Sequence, residues 1–224
     1  NLERKRMKVI FKIAKSELNM LFYSPVAWLI LVIFTFQSSM AFSDLFGDLV
    51  VDQAIGNRLW DVTEKVFSSY RGLLSQVQQY LYLYIPLLTM GLMSKERNNG
   101  SIKLLFSSPI TNTQIILGKY FAIMIYALVL IAILFVYAIF GMCTIKDMDV
   151  PYVLSGLFGL YLLTCAYAAI GLFMSNLTSY QVVAAMCTLG LLAVLNFIGG
   201  VGQECRCFHE AHLNFGADFG CFYF

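Results

Sequence analysis

The sequence predicts an all-α polytopic membrane protein: an N-terminal amphipathic helix lying in the membrane interface, followed by about five transmembrane helices. Three observations predict it. The 224-residue chain is 59% hydrophobic and only 12% charged, against about 25% charged residues in soluble domains. The missing charge vanishes from stretches of about 18 residues or more, the length at which an apolar run can cross hydrocarbon as a helix. The period-2 alternation of a membrane barrel is absent, so backbone groups in lipid must be satisfied within helices.

Met7-Lys-Val-Ile-Phe-Lys has the form of a natural start, so Asn1 to Arg6 are expected to be upstream or appended sequence. No cleavable signal peptide is expected, because Lys8, Lys12 and Lys15 interrupt the apolar residues. From Lys8 to Tyr23 the pattern is amphipathic: Ile10, Ile13, Ala14, Leu18 and Leu21 share one face, and Lys8, Lys12, Lys15 and Asn19 another. A basic face opposite an apolar one suits a helix in the headgroup layer, while the same charges alone would serve to fix topology. Ser24-Pro25 ends this first unit, residues 1–24, because the residue before proline is pushed out of helix.

The spans run over about 25–42, 73–93, 115–140, 152–174 and 181–200. With Lys119 counted to the loop ahead of the third span, none holds an Asp, Glu, Lys, Arg or His. In the outer loop from Ser43 to Gly72, a three-or-four spacing begins at Leu59 and runs through Val62, Val66, Tyr70 and Leu73 to Tyr84. It predicts one helix that starts outside and continues into the second span. Tyr80, Tyr82 and Tyr84 read as an aromatic belt or packing, with a conduit wall as the alternative, and Pro86 as a kink. The small residues of the fourth span, Gly156, Gly159, Ala166, Ala168, Ala169 and Gly171, predict close helix approach. The fifth span is expected to end at the breaker cluster Gly199-Gly200-Val-Gly202. Cys165 and Cys187 lie in spans and read as packing residues; there is no disulfide framework.

Charge placement sets the orientation. Arg4, Lys5, Arg6, Lys8, Lys12 and Lys15, with Lys95, Arg97, Lys103 and Lys119, put ten of the fifteen basic residues on one side. The other side carries Asp44, Asp48, Asp52, Asp61, Glu64, Asp147 and Asp149. The N-terminus and the second-to-third loop are therefore expected in the cytoplasm.

Absent motifs exclude several functions. No P-loop occurs; ahead of Gly118-Lys119, Thr113 takes the first Gly position and Tyr120 replaces the hydroxyl residue. No G-x-S-x-G occurs, and His209-Glu-Ala-His212 is one residue short of a zincin motif. Spans without ionisable groups argue against proton-coupled carriers and intramembrane proteases. The basic residues lack aromatic interleaving, so no nucleic-acid partner is expected.

The loop of residues 94–114 is the informative interruption. Lys95 and Arg97 suit a helix C-terminus, and Asn98-Asn99-Gly100 is a turn signal. Ser101 can cap a short helix from Ile102 to Phe106, stopped by Ser107-Ser108-Pro109. One cytosolic turn cannot bury Leu104, Leu105 and Phe106; they need a protein groove or the membrane surface, and the protein's own interfacial helix is the alternative seat. Thr111-Asn-Thr-Gln114 has the form of a capping box, so the next helix begins before the lipid. From Thr111 to Phe140 it would be about 45 Å long, against about 30 Å of hydrocarbon. The surplus projects the loop toward a partner.

Pro86-Leu-Leu-Thr-Met, Ser94-Lys-Glu-Arg, Gly100-Ser, Leu104-Leu105, Ser108-Pro109 and Gln114-Ile-Ile-Leu-Gly-Lys119, in that order, resemble the signature of ABC-2 type transporter permeases. The subgroup most resembled is the permease subunit associated with gliding motility. The resemblance covers about Met7 to Gln203 and implies residues 25–203 as the transmembrane domain of a permease in a bacterial inner membrane. It implies a separate cytoplasmic ATPase, a second permease copy or homologous permease, and no directly bound cofactor, ATP acting through the partner. By position, Glu96 and Arg97 would stabilise the elbow, and Gly100 and Ser101 would set the turn. Ile102, Leu104, Leu105 and Phe106, bounded by Pro109, would couple to the ATPase.

The family usually has six spans, and the last is missing here. The tail from Glu204 to Phe224 holds Cys205, Cys207, His209, His212 and Cys221 in a spacing that fits no zinc ribbon or finger. A truncated or frame-shifted end is the expectation. The resulting reading is a non-enzymatic permease subunit of an exporter. The rivals are a scaffold or anchor that binds an ATPase without transport, and a channel or secondary carrier. The spans offer only generic polar groups, such as Gln37, Thr89, Thr164 and Asn196, and these select no substrate.

Overall fold

The computed structural model describes residues 2–55, 66–67, 72–93, 111–144 and 149–213, the side chains of 2–6, 52–53, 144 and 200–213 excepted. Among them are six α-helices and no strand: α1 (Leu2–Tyr23), α2 (Pro25–Ala54), α3 (Leu73–Thr89), α4 (Asn112–Thr144), α5 (Val150–Leu177) and α6 (Gln181–Leu213). Four of them, α2, α4, α5 and α6, are long and apolar enough to cross a membrane. The chain is thus an all-α polytopic membrane protein.

The bundle is built around α3 and α5. α3 packs on α2, α5 and α6, while α4 packs on α1 and α5. Ile30 and Phe34 of α2, Val77 and Leu88 of α3, Ile123, Tyr126 and Leu134 of α4, and Leu157 and Ala168 of α5 fill one continuous core. Two tyrosine hydroxyls cross it: Tyr126 Oη donates to the Ala27 carbonyl at 2.7 Å, and Tyr84 Oη to Gln37 Oε1. Large apolar side chains such as Val32, Phe36, Phe158, Met186 and Phe197 point outward on the long helices. Water would penalise that surface, and hydrocarbon does not.

The helix limits depart from the expected spans at several places. α2 does not stop at Phe42 but continues to Ala54. Carboxylates do not end a helix; Asp44 and Asp48 stay exposed one turn apart while Phe42 and Phe46 pack on Phe140. The helix predicted to enter the second span from Leu59 is interrupted, because Gly72 has φ −59° and ψ 154° and stands as the N-cap of α3. α3 ends at Thr89 rather than Met93. Its 17 residues give about 25 Å of helix, short of about 30 Å of hydrocarbon. α6 runs through Gly199 and Gly200 to Leu213, since glycine weakens a helix but keeps its N–H. α4 and α5 contain the third and fourth predicted spans and exceed them at both ends.

Candidate functional site

Glu96, Arg97, Gly100, Ser101, Ile102, Leu104, Leu105, Phe106 and Pro109 all lie outside the described residues, as do most of the outer loop and the last part of the tail. The structure describes the frame from which residues 94–110 leave, at Met93, and to which they return, at Thr111.

The departure point is braced by α5. Pro86 has no N–H to donate within α3, and Met90 N donates to the Pro86 carbonyl at 2.9 Å as the helix closes. Thr89 is buried and donates its hydroxyl to the Ile85 carbonyl at 2.9 Å. Gly171 of α5 lies against it, where an added Cβ would come within 2.9 Å of Thr89 Cβ and Cγ2. Beyond Thr89 the backbone leaves the helix in a turn, with Leu92 N donating to the Thr89 carbonyl at 3.2 Å. Ser175 of α5 accepts from Met93 N and donates to the Met90 carbonyl, both at 3.3 Å. Non-helical backbone at this depth is tolerated because a buried side chain satisfies it.

The return point is half of the predicted capping box. Thr111 N donates to Gln114 Oε1 at 3.2 Å, and α4 begins at Asn112. Two turns on, α4 meets α1. A Cβ on Gly118 would sit 2.6 Å from Ile13 Cγ2, so only glycine lets the two helices come this close. Lys119 Nζ pairs with Glu17 Oε1 of α1 at 2.7 Å, with side chains 1% and 11% exposed respectively.

This pair corrects the sequence reading. Lys119 is not a loop residue, and an ionisable group does occur in a membrane-candidate helix. Glu17 escaped notice although its position betrays it: Ile10, Ile13, Ala14, Glu17, Leu18 and Leu21 form one stripe at helical spacing. The same stripe seats α1 on the bundle. Its apolar face turns onto the protein, with Ala14 and Glu17 buried, and Lys8, Lys12 and Lys15 are exposed on the other side. Among the described residues no cluster of three His, Cys, Asp or Glu side chains could hold a metal.

All these joints belong to one end of the bundle: α1, the end of α3, the start of α4 and the end of α5. Into that end opens a cavity of about 490 Å³ whose lining includes Glu17, Leu21, Leu88, Met90 and Lys119. The arrangement has the parts of a mechanical base: buried joints and an ion pair.

No curated protein and no solved structure matches the chain. Residues 11–204 match the family described as ABC-2 family transporter protein. That match spans α1 to α6 and includes every joint just described, and the chain therefore belongs to the ABC-2 family of transporter proteins.

Proposed function

We propose that the chain is the membrane-spanning permease subunit of an ATP-driven exporter, with hydrolysis carried out by a separate ATPase. One observation carries the reading. Signature positions outside the loop, Pro86, Thr89, Gly118 and Lys119, are the joints that hold the base from which residues 94–110 extend. Signature positions that form buried joints at both ends of residues 94–110 suit a part that receives force.

On this reading residues 94–114 are the coupling loop. Ile102, Leu104, Leu105 and Phe106 enter a cleft of the ATPase, Glu96 and Arg97 hold the elbow, Gly100 and Ser101 set the turn, and Pro109 ends it. The N-terminus and this loop are cytoplasmic, supported by the basic residues concentrated there. Two permeases, identical or homologous, face each other, and closure of two ATPases rocks them; ATP binds only the partner. The ordered motifs support membership of a gliding-motility or secretion assembly in a bacterial inner membrane.

The decisive variant is Leu105→Asp with Phe106→Asp. It abolishes co-purification of a cognate ATPase while membrane insertion persists. Undiminished association removes the coupling role. Retained association with no ATP-dependent transport in vesicles makes the chain a scaffold.

A further inference from the structure

The cavity at the base has walls of two kinds. Met20 and Leu21 of α1 and Leu87 and Leu88 of α3 give it an apolar lining, and Glu17 with Lys119 forms a charged patch on that lining. Its volume of about 490 Å³ falls within the range of small-molecule sites, about 300–1,000 Å³.

Exposed apolar side chains stand at its rim. Met20 and Val26, which line it, are 57% and 38% exposed, and Trp28 and Leu29 are exposed beside them on α2. Val26, Trp28 and Leu29 begin the first membrane-crossing helix, so hydrocarbon is their solvent, and Met20 stands beside them on α1. The junction of α1 and α2 at Ser24 also lines the cavity, which sets it at the boundary between headgroups and acyl chains.

The charge at the wall selects the ligand. Both paired groups are largely buried, and Glu17, with its side chain 11% exposed against 1% for Lys119, is the one that keeps an edge on the cavity. An oxygen-bearing anion at the edge of an apolar space favours a molecule that brings a hydrogen-bond donor with a positive charge. A molecule reaching it from the bilayer also needs an apolar body to lie against Met20, Leu21 and Leu87.

We infer that this cavity is a binding site for a membrane aminolipid, whose protonated primary amine donates to the Glu17 carboxylate while an acyl chain lies between α1 and α3. The site goes beyond the export reading and does not depend on any ATPase. A bound lipid here would fill the base between the interfacial helix and the end of α3.

The test uses the full chain purified from vesicles of equimolar phosphatidylethanolamine and phosphatidylcholine. These headgroups share a phosphate and a positive charge, and only the first has N–H donors. Native mass spectrometry after delipidation reads the retained lipid. Wild type retains one phosphatidylethanolamine per chain with about tenfold preference. Glu17→Leu with Lys119→Met removes the carboxylate without orphaning the lysine, and loses the preference. Leu87→Trp fills the cavity, keeps the ion pair, and loses it too. Equal retention of the two lipids by wild type overturns the proposal, as does survival of the preference in either variant. Because the wild-type comparison decides alone, a variant that fails to fold does not shield the proposal.

Discussion

Lys119 and Glu17 meet at 2.7 Å where the lysine is almost wholly enclosed. Two charges taken out of water interact strongly, but each has lost its hydration, so the pair as a whole contributes little net stability. Removing one partner is different, because the other is then buried uncompensated. Lys119→Ala is expected to cost about 3–5 kcal/mol in chemical unfolding of the detergent-solubilised protein. Glu17→Leu with Lys119→Met should recover most of that loss. If the double variant is as unstable as the single one, the pair is not the source of the effect. Both residues could be found from the sequence in principle. Glu17 sits in an otherwise apolar stripe, and Lys119 follows a predicted helix start by eight residues, counted from Thr111. Tallying charge by side of the membrane, rather than by position around a helix, hid them both.

At the scale of elements, the existence of each long helix was legible and its limits were not. Hydropathy falls at Ser43 and Asp44, yet α2 continues because Phe42 and Phe46 still find Phe140 to pack against. Hydropathy alone also fails at the end of α3, where packing and Ser175 supply what lipid cannot. Small residues in the fourth span were a fair guide only in part: Gly171 is pressed against Thr89, whereas Gly159 meets nothing within 4 Å. Of the three tyrosines read as a belt or packing, Tyr84 is buried and bonded to Gln37, which is packing. The coupling residues cannot be compared in this way, since they lie outside the described residues. The α1–α4 joint gives a prediction of its own. Gly118→Leu forces the helices apart, at a cost of about 1–3 kcal/mol. Trypsin cleavage at Lys12 in the folded protein should then accelerate, since cleavage needs α1 to open locally. An unchanged rate would mean that α1 is held by something other than this contact.

For the whole molecule, what composition gave was the class, and what packing gave was polarity. α1, the end of α3, the start of α4 and the end of α5 gather at one end. Asp149, just ahead of α5, belongs to the other. The proposed topology, with the basic end in the cytoplasm, predicts that a membrane-impermeant thiol reagent applied outside spheroplasts labels Asp149→Cys and leaves Lys15→Cys unlabelled, in a background lacking the native cysteines. The reverse pattern would invert the proposed topology and place the loop out of reach of any cytoplasmic ATPase.

Tyr126 clamps α4 to α2 through its bond to the Ala27 carbonyl. From that clamp, α4 extends fourteen residues to Asn112, an arm of about 21 Å. Lys119, where α1 is fastened, lies halfway along it. A tilt of about 10° about the clamp would carry the tip of the arm by about 4 Å and the fastening of α1 by about 2 Å. Gearing of this kind, roughly two to one, lets one small rotation move both the chain ahead of Asn112 and α1.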